Sequence, residues 1–459
     1  MKFALILLLF MTSGSAFSAT EPAAFKVRSY ETQELKNGMT VLWLPDPSLP
    51  YISMRLMLKS GSGEDPTGKE GLASFTAAML EKGTAKRSAT QISEDLEQIG
   101  CDFDTNVEPD YTMVSTSALT FHRDNVLKQF AEILFNPSFT NAEIERRRKN
   151  VLAGLQKLAD SPESFSGYLL PHLLFGQHPY GHEASGTPRS VKGLKRVDLQ
   201  RFFNANYSPD RAVLAVVGQY DDAWKQQLIK TFEAWKSKGI EHKALPEFPQ
   251  WKGKEILLVD RGDLNQAQIQ IGFKGAARNM PEYLDLRAGI KILGESFGSR
   301  LFEEIRVKRG LTYHIHAWFD PRMVPGPMGI YTFTRADKIG ETVQETLRTY
   351  KLFVDEGVTD NEVKVVKALM RGQFPRTFET PEALARQLLL LNLYGVSPSY
   401  LTTYLADVEA MSKESINKTI KKYFDSENLR ILVYAPRDKA EASLKPLGKL
   451  EIKNYKDFL

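Results

Sequence analysis

Ile52, Met54, Leu56 and Leu58 occupy every second position, the period of a strand with one face buried. Just upstream, Leu35-Lys36-Asn37-Gly38-Met39-Thr40-Val41-Leu42-Trp43-Leu44 holds an Asn-Gly pair between apolar runs, which predicts a hairpin. Further strands are predicted over 112–119 and 329–333, each leading into a helical pattern, Asp124 to Leu134 and Ile339 to Phe353. Thr140 with Glu143, and Thr359 with Glu362, each place a hydroxyl at a helix start and an acid three residues on, the signature of a capping box. The second box follows the first by about 219 positions.

Other features recur in the same order. Leu194 to Phe203, Tyr207 and the apolar run Ala212 to Val217 are matched by Met411 to Ile420, Phe424 and Leu429 to Tyr434. Three matched features at nearly one offset indicate an internal repeat. The expected fold class is therefore α+β, with two homologous domains, 27–241 and 255–459. Each is a largely antiparallel sheet with helices packed on one face. The Lys- and Pro-bearing stretch 242–254 is the expected linker.

Composition narrows the setting. Lys2 followed by the apolar run Phe3 to Met11 and small residues predicts a secretory signal over 1–19, cleaved after Ala16, Ser18 or Ala19. A periplasmic location follows as an expectation. The run is too short for a membrane span, which takes about 20 residues. Lys and Arg number 60 against 56 acids, a net charge of +4 with both signs interspersed, so nucleic-acid binding is not expected. The one basic cluster, Arg146-Arg147-Arg148-Lys149, is expected to be a solvated helix face. The single cysteine, Cys101, excludes an internal disulfide framework and is expected to be a buried thiol.

The chemistry-bearing stretches lie one in each copy. The first is Gly71-Leu72-Ala73-Ser74-Phe75-Thr76-Ala77-Ala78-Met79-Leu80-Glu81-Lys82-Gly83-Thr84. Its framing resembles the pitrilysin, insulin-degrading enzyme and mitochondrial processing peptidase (inverzincin) family. In that family a helix carries His-x-x-Glu-His between Gly-Leu-Ala and Met-Leu…Lys-Gly-Thr. Two histidines at i and i+4 share a helix face and a zinc ion, and the Glu polarises the attacking water. The resemblance puts Ser74 and Ala78 at the histidine positions and Ala77 at the general base. The distal glutamate, about 76 positions on, falls at Gly154. All four are replaced, so no metal ligand set and no cofactor are expected in this chain. His178 with His182 and Glu183, and His314 with His316, are the remaining candidates. Pro179 and Gly181 argue against a continuous helical i,i+4 pair in the first group, the second offers two imidazoles on one strand face with no third ligand identifiable, and ordinary surface or hydrogen-bonded histidines are the expectation.

The second stretch is Gly298-Ser299-Arg300-Leu301-Phe302-Glu303-Glu304-Ile305-Arg306-Val307-Lys308-Arg309-Gly310-Leu311-Thr312-Tyr313. On its own it reads as a helix capped by Ser299, with Leu301, Phe302 and Ile305 buried and Gly310 ending it. It is similar to the family's C-terminal motif. That similarity implies that Arg306 and Tyr313 hold peptide and stabilise an oxyanion at a zinc site across a chamber. The bland alternative is a surface Glu303–Arg306 ion pair and a tyrosine at the core edge.

The resemblance implies half of a clamshell. It points to a non-zinc-binding subunit of a secreted heteromeric metallopeptidase. The expected partner is a homologous secreted chain with intact His-x-x-Glu-His and the zinc, and the expected substrate is an unfolded peptide. A non-catalytic peptide-binding or scaffold protein of the same fold is the alternative.

Overall fold

A computed structural model describes residues 27–237 and 244–459. The expected signal over 1–19 and the first residues of the expected linker lie outside them. The strands are β1 (Glu31–Glu34), β2 (Thr40–Pro45), β3 (Tyr51–Leu58), β4 (Asp102–Val107), β5 (Thr112–Leu119), β6 (Ala212–Gly218), β7 (Glu255–Asp260), β8 (Gln266–Lys274), β9 (Ile315–Phe319), β10 (Pro327–Arg335), β11 (Arg430–Ala435) and β12 (Lys449–Asn454). They form two six-stranded sheets, ordered β1-β2-β6-β3-β5-β4 and β12-β7-β11-β8-β10-β9. Five positions correspond one to one: β2, β6, β3, β5 and β4 with β7, β11, β8, β10 and β9. In both sheets the second and third strands are parallel and the rest of that run antiparallel. The copies differ at the remaining edge, where β1 is antiparallel to β2 but β12 is parallel to β7. The α+β class and the two-copy organisation are both present.

Local signals explain the elements. The β1–β2 turn has Gly38 at φ 85°, a conformation glycine adopts without strain. The capping box at Thr359 forms, with its hydroxyl accepting from the Glu362 N–H and Glu362 accepting from the Thr359 N–H. The one expected at Thr140 does not. There the Thr140 side chain makes no cap bond, and Glu143 turns back to Arg146 instead. The basic cluster also departs from expectation. Arg146 and Lys149 are exposed, whereas Arg148 folds inward to donate to the Val191 and Leu194 carbonyls.

The sheets carry their own helices on one face, and what covers the other face is a tertiary result. The Pro162–Phe175 helix of the first copy lies on β8 and β11 of the second sheet, and the Pro381–Leu393 helix of the second copy lies on β6 and β2 of the first. Along β6, Leu214 and Val216 face the first copy's own helices, while Val213, Ala215 and Val217 join the core around the crossing helix. On β7 and β11, Leu257, Val259, Leu432 and Tyr434 pack against Phe165 and Leu169 of the other crossing helix. Strands buried on both faces read as continuous apolar runs, as these do. The approach is close: a Cβ on Gly272 of β8 would fall 2.2 Å from Leu174 Cδ2. Residues 244–254 run without helix or strand but are anchored by Phe248, which is buried against Phe175.

Candidate functional site

In the first copy, the loop before the motif fixes where its helix begins. The buried Asp65 carboxylate accepts the Gly71 and Ala73 N–H groups, both at 2.7 Å, at the start of the Leu72–Ala78 helix. Burial pushes this carboxyl well up despite those two donors. Ser74 and Ala78 lie one turn apart on a partly exposed stripe, and Ala77 is buried. Gly154 lies on the exposed side of the Asn141–Leu158 helix, where nothing comes within 4 Å of an added Cβ. A hydroxyl, two methyls and a bare Cα offer a divalent cation no adequate donor set. The zinc of the related enzymes does not fit these residues. Among the described residues, no three His, Cys, Asp or Glu side chains are grouped to hold a metal ion.

The histidine candidates resolve into ordinary bonding. His178 is buried, bonded to the Pro246 carbonyl at 3.0 Å and to the Tyr180 N–H at 3.0 Å. His182 Nδ1 lies 3.1 Å from the Glu183 carbonyl, while its buried Nε2, 3.9 Å from the Asp65 carboxylate, has no hydrogen-bond partner among the described residues. The His314 and His316 rings bond to each other, Nε2 to Nδ1, at 2.9 Å. Burial, then the neighbouring His314, pulls His316 below its usual value. Cys101 is buried beside the Thr116 hydroxyl, 3.0 Å away.

The second-copy motif is built differently from its sequence reading. Ser299 does not cap through its side chain, and its buried hydroxyl has no partner. Over Phe302–Val307 the helix widens to i→i+5 bonding, seen in the Lys308 N–H donating to the Glu303 carbonyl at 2.9 Å. Such widened turns occur often at functional sites. Gly310, at φ 62°, then reverses the chain, and the Leu311 N–H closes on the Ile305 carbonyl. Leu301 and Ile305 are fully buried, while Phe302 is only half buried. Arg300 secures the helix from below, forking onto Glu362 at 2.6 and 2.8 Å and onto the Gly357 carbonyl at 2.6 Å.

This frame brings Arg306 and Tyr313 together. The Arg306 guanidinium lies 4.5 Å from the Tyr313 ring centre and 4.6 Å from that of Phe302. The expected Glu303–Arg306 ion pair is absent among the described residues. Nearby cations do pair, Lys308 and Arg309 both with Glu304. Tyr313 is 73% exposed, and Phe297, 89% exposed, packs edge-on against Phe302. The tyrosine lies two residues before β9, the edge strand of the second sheet. A half-buried planar cation and an exposed phenol thus stand together, with no carboxylate paired to the charge among the described residues.

Two family models match in tandem: "Insulinase (Peptidase family M16)" over 40–187 and "Peptidase M16 inactive domain" over 193–370. The chain belongs to the M16 peptidase family. Among M16 relatives, a Bacillus subtilis protein named "Uncharacterized zinc protease YmxG" is 25% identical over 87% of this chain and 96% of its own length. A Helicobacter pylori protein named "Non-peptidase homolog YmxG" is 23% identical over 89% of this chain and 94% of its own. A crystal structure described as a peptidase M16 inactive domain from Pseudomonas fluorescens superposes with a TM-score of 0.82 at 26% identity, covering 89% of this chain and 98% of that one. A Helicobacter pylori protease structure shares the fold, with a TM-score of 0.81 at 20% identity, covering 90% of this chain and all of that one. The match to the M16 inactive domain and the name of the Helicobacter pylori relative support a non-catalytic member of the family.

Proposed function

We propose that this M16 chain is the non-zinc-binding subunit of a secreted, periplasmic heteromeric metallopeptidase. It closes half of a chamber around an unfolded peptide, and it presents Arg306 and Tyr313 to a homologous partner that carries His-x-x-Glu-His and the zinc. The carrying observation is the half-buried Arg306, stacked on an exposed Tyr313 and paired with no carboxylate among the described residues. A surface ion pair would have consumed that charge. A fixed cation and a phenolic donor stabilise developing negative charge most strongly where water is excluded. The β9 edge beside them is free to take an extended peptide by strand addition.

The name "Non-peptidase homolog" carried by the Helicobacter pylori relative favours a second reading, a peptide-binding or scaffold protein. Co-expression with a homologous secreted chain bearing the intact motif separates the two. The pair should cleave an unstructured peptide faster than the partner alone. Arg306→Ala should cut kcat by about 100-fold, the scale of losing one oxyanion donor, and Tyr313→Phe should cut it less. An unaided partner of equal activity, or a pair indifferent to both substitutions, leaves the scaffold reading.

A further inference from the structure

Between the copies lies a cavity of about 450 Å³ on which the proposed function makes no demand. Its floor comes from the β4–β5 turn of the first copy, and its walls come from second-copy helices. Arg278 is the central feature. Its guanidinium is sandwiched between two tyrosine rings, 3.8 Å from the centre of Tyr283 and 4.8 Å from that of Tyr400. Among the described residues it forms no salt bridge. Arg386, on the crossing helix, also lacks one and lies beside Tyr111.

Phenols, carboxylates and apolar side chains line the cavity around these two cations. Tyr394, Tyr400 and Tyr404 line it, and none donates its phenol to an acceptor among the described residues. Burial raises all three, Tyr404 to about 12, so they stay neutral and able to donate. The acids present are already engaged. Asp110 accepts from the Tyr180 hydroxyl and the Met323 N–H, and Asp320 is gripped by Arg322 at 2.7 and 2.9 Å. Glu108 is solvent-exposed and takes the Asn106 amide at 3.1 Å. A neighbouring strand residue, Arg55 on β3, is half buried, and its Nε has no partner. Burial, then the nearby Arg386, pulls its guanidinium down. Arg278 and Arg386 line this cavity without a salt bridge among the described residues, and its acids are taken up by other donors.

We propose that this inter-copy cavity is a binding site for a compact multivalent oxyanion, a carboxylate- or phosphate-bearing group that Arg278 and Arg386 engage by forked hydrogen bonds while the phenols donate to its remaining oxygens. Guanidinium forks match the two oxygens of such groups. The volume is that of a small-molecule site. The first copy contributes the turn from Glu108 to Tyr111 to the floor, and the arginines and phenols that meet the anion all come from the second.

The full chain tests this. Its thermal midpoint and calorimetric binding are followed with citrate, with inorganic pyrophosphate and with an acidic tetrapeptide, each against sodium chloride at equal ionic strength. Saturable binding by at least one probe is expected, with a rise in the midpoint that the salt control lacks. Arg278→Gln should weaken it at least tenfold, and Arg386→Gln should weaken it too, providing the reading if the first variant does not fold. Tighter Arg278-dependent binding of the tetrapeptide than of either small anion identifies a peptide as the source of the oxyanion; the reverse identifies a free metabolite. Binding that does not saturate with any probe, or that survives both substitutions, overturns the proposal.

Discussion

The two copies use the same helix start in different ways. In the first, Thr140 leaves its N-terminal N–H groups uncapped by its side chain, and Glu143 is spent on Arg146 one turn along. In the second, Glu362 completes a capping box with Thr359 and is also forked by Arg300, 62 residues away in sequence. That fork ties the Asp360–Gln373 helix to the widened helix that carries Arg306. The copy with this extra tie is the one that presents an unpaired cation. The copy without it presents Ser74, Ala77 and Ala78, side chains that ask nothing of their surroundings. A position that must hold an unpaired charge needs support beneath it, and a position that has lost its ligands does not.

The comparison breaks most easily at the crossing helices, since both copies depend on them. Phe165 is fully buried, with its ring 5.1 Å from that of Tyr434 on the second sheet, and Leu389 is fully buried in the helix lying on the first. Phe165→Ala should cost about 3–5 kcal/mol and Leu389→Ala about 2–5 kcal/mol. Either change should lower a single denaturant midpoint for both copies together. Two separate transitions would show copies that fold independently.

A smaller effect sharpens the contrast between the caps. Thr359→Ala removes a formed cap and should cost about 1 kcal/mol, while Thr140→Ala should fall within about 0.5 kcal/mol of the parent. Equal losses measured by urea unfolding would contradict the asymmetry.

The smallest effect is a pH dependence. Burial alone would raise the Glu362 carboxyl, but the Arg300 fork and the Thr359 N–H outweigh it and hold it below its ordinary range. A depressed folded-state value means stability that is present above the unfolded-state value and lost as pH falls through the folded one. The stability gap between the parent and Glu362→Gln should therefore be widest near neutrality. It should shrink as pH drops below about 4, near the ordinary carboxylate value. A gap independent of pH would show that the fork contributes nothing through charge.

Much of this was legible from one dimension. The Asn37-Gly38 turn, the Thr112–Leu119 strand and the Ile339–Glu356 helix are local signals, and each stands where its pattern puts it. So is the framing of the degenerate motif, because the positions from Gly71 to Thr84 are set by contiguous residues. The Thr140 box did not form although Glu143, like Glu362, stands three residues past its threonine; Glu143 pairs with Arg146 on its own helix. The Ser299 cap failed because the helix following it widened. The Arg278 site was missed altogether, since Arg278 and Tyr283 lie more than a hundred residues from Arg386, Tyr394, Tyr400 and Tyr404, and the two groups form no motif. The all-apolar runs of β6 and β11 were the one available hint that both sheet faces are covered.

The amino-acid order alone determined the two-copy α+β organisation and the loss of the zinc ligands, because turns, periodicity and ligand identity are properties of neighbours along the chain. The tertiary structure decided which helix crosses to which sheet, that Arg306 stands over Tyr313 without a counter-charge, and that a cavity lined by Arg278 and Arg386 opens between the copies. Those outcomes depend on which distant surfaces bury each other and which charges are left over once they have, and no stretch of sequence contains both sides of such a contact.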